Sequence, residues 1–268
     1  MNRYWVDNLS PWIWRIHGDF GIRWYGLAYA LGFCSARLIG GWLINRGRLR
    51  LTNEECTEAV LYAAVFGILC ARLFDFLLYD FRLLYEHPIA FWSFGAGGMS
   101  SFGGIVGVFT GLWIFCLRKS LSCWTLFDLA AISGPIGIFA GRIANFVNGE
   151  LWGRPTYVRW AVIFPSAPPV TGINVPRHPS QIYAALLEGV AVFVVVWLVF
   201  RKRPPPGVAL GFTLSCYATA RFIDEFWREP EPSTLIAGWM TLNQLLTIPL
   251  FLLGLALIYR RAIANPLG

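Results

Sequence analysis

The chain has 268 residues, of which 56% are hydrophobic, 16% aromatic and only 14% charged. Soluble domains carry about 25% charged residues, so this composition excludes an ordinary soluble globule and fits an integral membrane protein. The formal net charge of +7 does not point to nucleic acid, because the basic residues sit at the ends of apolar segments rather than on one face.

A spanning helix needs about 20 mostly apolar residues, and seven segments qualify, at about 21–43, 57–79, 101–117, 123–147, 180–200, 206–228 and 235–260. The expected fold class is an all-α polytopic membrane protein with about seven transmembrane helices, organised as a single integral-membrane domain over residues 1–268. The first long apolar run begins only near Ile22, after a polar stretch bearing Trp and Pro, so no cleavable signal peptide is expected. The third segment is short and glycine-rich. The fourth contains Pro135 and several glycines and is predicted to be broken or re-entrant. No internal repeat stands out, which weighs against a transporter built from inverted repeats.

Basic clusters fix the expected orientation. Arg46, Arg48 and Arg50 follow the first segment, and Arg118 and Lys119 follow the third. Arg201, Lys202 and Arg203 follow the fifth, and Arg260 and Arg261 end the last. These ends are expected in the cytoplasm, with the C-terminus, and the N-terminus is expected on the far side. The loops at 80–100, 148–179 and 228–235 then face outward, the last carrying Glu229-Pro230-Glu231-Pro232. The 148–179 segment is too long for a plain connection and is predicted to form a small extracytoplasmic head. Residues 157–164 are strand-prone, and Trp152 and Trp160 are expected as interfacial anchors. The six cysteines lie in apolar segments or near basic segment ends and read as ordinary thiols; no Cys/His spacing suggests a metal.

Charge inside the apolar segments carries the functional signal. Arg23, Arg37, Arg72, Arg142 and Arg221 lie within or at the edge of apolar runs, where an ionised side chain is costly unless it is paired or used. Arg23 and Arg37, near the ends of the first segment, read as snorkelling or ion-paired, and Arg72 with Asp75 has helix-pair spacing. Arg221, Asp224, Glu225 and Arg228 recur at i, i+3, i+4 and i+7 on one helix face, which fits either a self-neutralising network or a site for an anionic head group. Arg142 and Asn145 share a face at the end of the fourth segment and run into Asn148-Gly149-Glu150-Leu151-Trp152-Gly153. A guanidinium fork suits phosphate and the Asn side chains suit hydroxyls, as a glycerophospholipid would require.

The stretch Gly141–Gly153 closely resembles the signature of the prolipoprotein diacylglyceryl transferases, the bacterial enzymes that lipidate lipoprotein precursors. Other pieces resemble that family in the right order: Trp24-Tyr25-Gly26, Gly98-Met99-Ser100 with Gly103-Gly104, Arg177-His178-Pro179-Ser180-Gln181, Arg221-Phe222-Ile223 with Glu225-Phe226, and Asn243-Gln244. The resemblance implies transfer of a diacylglyceryl group from phosphatidylglycerol to the lipobox cysteine thiol in the signal peptide of a prolipoprotein, the first step of lipoprotein maturation. It implies no metal and no cofactor, and a multi-pass location in the bacterial cytoplasmic (inner) membrane. It assigns Arg142 to the lipid phosphate, makes Arg221 essential on the phosphate or leaving group, and carries over Tyr25, Asn145, Glu150 and Gly153 as site-shaping positions. Glu225 and His178 belong to the implied substrate-binding set, with a structural hydrogen bond as the other reading of His178. Two positions depart from the family's pattern: Phe102 stands where the family carries a histidine proposed as the base for the thiol, and Ala184 where it usually carries Glu. The alternative is therefore a catalytically weakened or non-catalytic paralogue that binds phosphatidylglycerol or lipoprotein precursors.

Overall fold

The computed structural model describes residues 4–17, 20–79, 81–92, 98–230, 235–236 and 240–264. Glu231 and Pro232 of the acidic 228–235 loop lie outside the described residues. In chain order the elements are β1 (Trp5–Val6), β2 (Trp12–His17), β3 (Phe20–Arg23), α1 (Trp24–Asn45), α2 (Asn53–Tyr79), α3 (Phe81–Glu86) and a 3-10 turn (Pro88–Trp92). Then come α4 (Ser101–Lys119), α5 (Trp124–Val147), β4 (Val162–Ile163) and α6 (Ser180–Ala184), which continues through a π-helical segment (Ala185–Ala191) into α7 (Val192–Arg201). The chain ends with α8 (Val208–Asp224), β5 (Leu235–Ile236), β6 (Met240–Thr241) and α9 (Leu242–Ala264). Among the described residues, six helices are long and apolar enough to cross a membrane: α1, α2, α4, α5, the continuous Ser180–Arg201 helix and α9. The seventh expected span is α8, which has 17 residues and bears Arg221 in its last turn. The protein is a multi-pass, all-α membrane protein.

The chain divides into two compact units, Met1–Ile13, Ile22–Gly32 and Ala130–Gly268 in one, Trp14–Gly21 and Phe33–Leu129 in the other. In the second unit α2 opens with a reciprocal capping box. The Glu55 amide donates to Thr52 Oγ1 at 3.1 Å, and the Thr52 amide donates to Glu55 Oε2 at 2.8 Å. Helix α4 lies against α2 along a glycine stripe. A Cβ at Gly103 would meet the Cys70 carbonyl at 2.5 Å, one at Gly107 the Phe66 carbonyl at 2.2 Å, and one at Gly111 the Tyr62 carbonyl at 2.5 Å. With no hydrophobic drive between helices in lipid, this backbone approach is what holds the pair. Ion pairing and hydrogen bonds close the basic ends of these helices. Lys119 Nζ is 2.9 Å from Glu58, Arg118 donates to the Tyr62 hydroxyl, and Arg37 donates to Thr57 Oγ1 at 2.8 Å and Asn53 Oδ1 at 3.2 Å. Arg72 does face Asp75, at 3.9 Å, but its nearer partners are the carbonyls of Gly98 (2.7 Å), Ala90 (2.9 Å) and Phe91 (3.1 Å). It ties the segment before α4 to α2.

Helix α5 is one unbroken helix of 24 residues, with Pro135 inside it. The predicted break does not occur, for a physical reason. Pro135 cannot donate to the Ala131 carbonyl, and the Thr213 hydroxyl of α8, 3.1 Å from it, supplies a donor in its place, sharing its one proton with the Ala209 carbonyl at 3.0 Å. Helices α8 and α9 approach backbone to backbone, a Cβ at Gly211 meeting the Gly254 carbonyl at 2.8 Å. Arg23 sits over the Trp12 ring, 4.2 Å from its centroid.

The 148–179 segment carries a small core of its own. Its strand content is small: β4 covers only Val162–Ile163 and pairs in parallel with β1, Trp5 opposite Val162 and Val6 opposite Ile163. Val162, Phe164 and Ala167 make its core, with Phe146 and Trp152 packed against it. Trp152 is partly buried and lays its ring against this core. Trp160 is exposed, as an anchor would be, and its indole N–H donates to the Tyr183 hydroxyl at 2.6 Å. The buried Arg177 stitches the head together, donating to the carbonyls of Gly153 (3.2 Å) and Pro168 (3.0 Å) and pairing with Glu229 at 3.2 Å.

Candidate active site

Helices α5 and α8 and the π-helical segment bring five charged side chains together inside the first unit. Arg142 on α5 donates to Glu188 Oε2 from Nε at 2.9 Å and from Nη2 at 2.8 Å. Arg221 on α8 pairs with Glu225 at 2.9 Å, with Asp224 at 3.1 Å and with the other Glu188 oxygen at 3.7 Å. Glu188 thus bridges the two arginines and is fully buried. The π-helical segment explains its aim. A Cβ at Gly189 would meet the Phe139 Cα at 2.9 Å, so the widened turn seats Gly189 against α5 one turn before Arg142. Single π turns inside α-helices recur at functional sites for this reason. Glu225 is also held from α9, where the Asn243 amide donates to it at 3.1 Å. Tyr217 of α8 lies within electrostatic reach of Arg142, Glu188 and Arg221.

A second polar group stands one turn further along α5. Asn145 Nδ2 donates to the Tyr25 hydroxyl and, at 3.1 Å, to Glu150 Oε1; Tyr25 donates to the same Glu150 oxygen. Asn148 Nδ2 adds a further bond to it at 3.3 Å. Burial pushes the Glu150 carboxyl above its ordinary value. The Glu150 carbonyl accepts from Gln181 at 2.6 Å, which ties this corner to the start of α6.

The third group is a backbone clamp at Gly153. Its amide donates to the His178 carbonyl at 2.9 Å, and it faces Arg228 in an antiparallel bridge. A Cβ here would strike the His178 carbonyl at 2.5 Å and the Trp227 carbonyl at 2.7 Å, so only glycine fits between the two chains. The His178 ring bonds the Tyr183 hydroxyl at 3.1 Å, and burial lowers its pKa from the ordinary 6.5.

The expected residues therefore fall into three groups, all in the first unit: Arg142, Arg221 and Glu225; Tyr25, Asn145 and Glu150; Gly153 and His178. Of the two readings of the Arg221 face, the network is present, since every carboxylate on it reaches Arg221. Glu188 and Tyr217 were not anticipated. Glu188 had a signal, being the one acid in the apolar 180–200 run; Tyr217 had none. In the second unit Phe102 opens α4, 62% exposed, its ring edge-on to Phe74 at 5.7 Å. Ala184 is buried.

Chemically, Arg142 and Arg221 keep N–H donors beyond those their carboxylates occupy, since a guanidinium has five. Two such forks, fixed by buried acids beside a Tyr/Asn/Glu wall, can take an oxyanion with adjoining hydroxyls.

Residues 11–260 match the family described as prolipoprotein diacylglyceryl transferase. A protein of Solidesulfovibrio magneticus is 41% identical over 247 residues, covering 91% of this chain and 92% of its own length. One from Legionella pneumophila (strain Lens) is 38% identical over 250 residues, covering 92% and 95%, and one from Pseudomonas paraeruginosa 40% identical over 254 residues, covering 93% and 94%. All three carry the name phosphatidylglycerol–prolipoprotein diacylglyceryl transferase. With the family matched over nearly its whole length, the chain belongs to the prolipoprotein diacylglyceryl transferases.

Proposed function

We propose that this protein transfers the diacylglyceryl group of phosphatidylglycerol to the lipobox cysteine thiol of a prolipoprotein signal peptide, in the bacterial inner membrane, with its head and N-terminus outside and its C-terminus in the cytoplasm. The observation that carries the reading is the pair of arginines, Arg142 and Arg221, held by one buried carboxylate, Glu188. The cysteine sulfur attacks the glyceryl carbon that bears the phosphate oxygen. A C–S bond forms, the C–O bond breaks, and its electron pair leaves on glycerol 1-phosphate. Charge grows on that phosphate as the bond breaks, and Arg142 and Arg221 stabilise it there. Tyr25, Asn145 and Glu150 orient the glycerol hydroxyls. Gly153 and His178 hold the turn into the head, and Glu225 positions Arg221.

The thiol proton is the step least provided for. A free cysteine with a pKa near ~8.5 is already a few per cent thiolate at neutral pH, so a missing base slows the reaction without abolishing it. Phe102 at the family's histidine position favours a second reading, a copy that binds the lipid or the precursor and turns over slowly or not at all. Expression in cells depleted of their own transferase tests the proposal. Modified lipoproteins should reappear with the wild-type chain, disappear with Arg142→Ala, and form faster with Phe102→His, by up to the ~10²–10⁴-fold that a general base contributes. Unmodified precursors beside abundant membrane-inserted protein would refute it, and rescue by Phe102→His alone would establish the second reading.

A further inference from the structure

The backbone of His178 accounts for its part in the clamp: its amide donates to the Arg154 carbonyl at 3.0 Å, and its carbonyl accepts from Gly153 at 2.9 Å. The ring is engaged separately. Nδ1 lies 3.1 Å from the Tyr183 hydroxyl, and Nε2 has no hydrogen-bond partner among the described residues. With its pKa below the ordinary 6.5, the ring is neutral at neutral pH and carries one proton, on one nitrogen or the other.

Tyr183 decides which. The Trp160 indole lies 2.6 Å from the Tyr183 hydroxyl, and an indole N–H can only donate, so the hydroxyl oxygen is the acceptor in that bond. The single hydroxyl proton is left for another acceptor, and among the described residues His178 Nδ1 stands within reach. The reverse polarity would give the hydroxyl two donors and leave its own proton without an acceptor. An Nδ1 that accepts carries no proton, so the proton of the ring sits on Nε2. The Tyr183 ring is held in place for this, edge-on to the rings of His178 and Trp227 at 5.8 Å each. All four residues lie in the first unit.

We propose that Trp160 and Tyr183 are positioning residues that fix His178 as a hydrogen-bond donor through Nε2, and that this N–H meets an ester carbonyl of the donor lipid. This rests on the reading of the site as one for phosphatidylglycerol. The lipobox thiol needs an acceptor for its proton, which a protonated Nε2 cannot be. Arg142 and Arg221 meet the phosphate, and Tyr25, Asn145 and Glu150 meet the glycerol hydroxyls, so the acyl ester carbonyls are the lipid oxygens left for a neutral donor. The same polarity removes His178 as a substitute for the base missing at Phe102.

Ring 15N spectra of the histidine-labelled full-length protein in bilayers, with His178→Gln identifying the signal, test the tautomer. A protonated Nε2 and a bare Nδ1 are expected, and Tyr183→Phe should move the Nδ1 signal; a proton on Nδ1 overturns the proposal. Kinetics in mixed micelles test the contact. His178→Asn, which reaches Tyr183 but not the Nε2 position, should raise the KM for phosphatidylglycerol by about 3- to 10-fold with kcat little changed, the scale of one neutral hydrogen bond. His178→Gln, whose amide N–H takes the Nε2 position, should recover to within about twofold of wild type. With an ether-linked phosphatidylglycerol, which has no ester carbonyl, the gap between wild type and His178→Asn should close. A gap that persists with the ether lipid overturns the proposal, as do equal losses in both variants with a lowered Tm, which mark a structural ring. Should the wild type form no thioether, the catalytic reading falls by itself, and binding of the ester and ether lipids by the same variants decides the contact.

Discussion

Removing the negative charge of Glu188 is the sharpest perturbation of the charged cluster. Glu188→Gln keeps the shape of the side chain and removes the charge that stands 2.8 Å from Arg142 and 3.7 Å from Arg221. Glu188 is fully buried, so water cannot replace the lost partner. Breaking a buried ion pair by removing one member costs about 3–5 kcal/mol, a large part of a typical total stability of about 5–15 kcal/mol. In a chain of this size that corresponds to a fall in Tm on the order of 10 °C. Glu229→Gln is the control. Its partner Arg177 is buried, but the Glu229 side chain is 39% exposed, so the loss should stay below about 1 kcal/mol after solvent screening. Thermal unfolding in detergent, read by tryptophan fluorescence, compares the two. Equal shifts for both variants would refute the claim that Glu188 is the electrostatic keystone of the cluster.

Gly153→Ala should destabilise by about 1–3 kcal/mol and remove transfer activity, because its Cβ meets backbone on both sides; a fully active, stable variant would contradict the clamp. Thr213→Val leaves the Ala131 carbonyl unsatisfied and should cost about 1–3 kcal/mol, most of it restored by adding Pro135→Ala, which returns the helical donor; additive losses in the double mutant would overturn this. The two perturbed groups of the head titrate with opposite signs. His178 has a lowered folded-state pKa, so stability is full above 6.5 and is lost as pH falls from there, and His178→Gln should flatten that loss. Glu150 has a raised pKa, so stability falls as pH rises from its ordinary 4.5 through the folded value, and Glu150→Gln should remove that slope; the same pH profile in each variant as in wild type would refute the assignment.

What was legible in the sequence follows from the cost of charge in lipid. Arg142, Arg221 and Glu225 stand out because an ionised group in an apolar segment needs a reason; Arg142 and Arg221 meet at Glu188, and Glu225 pairs with Arg221. Glu188 obeyed the same rule and was overlooked, because a lone acid in a run of Val, Leu and Phe carries no local pattern, and its π turn leaves no trace in spacing. Pro135 predicted a broken helix because its remedy, Thr213, lies on another helix 78 positions on, and local propensity cannot see a partner at that separation. The packing of Trp152 against Phe164 and Ala167 has no local signal, because that core exists only once the 148–179 segment has folded. Gly98, Gly103 and Gly104 carry the family resemblance; the stripe Gly103, Gly107 and Gly111 is the contact surface for α2.

The most direct measurement is the mass of a lipobox peptide incubated with the purified protein and phosphatidylglycerol of defined acyl chains. A gain equal to one diacylglyceryl group, stable to alkali as a thioether is, with one glycerol phosphate released per peptide and none with Arg142→Ala, is the predicted result. No gain, an alkali-labile acyl group alone, or the same gain with Arg142→Ala would contradict it.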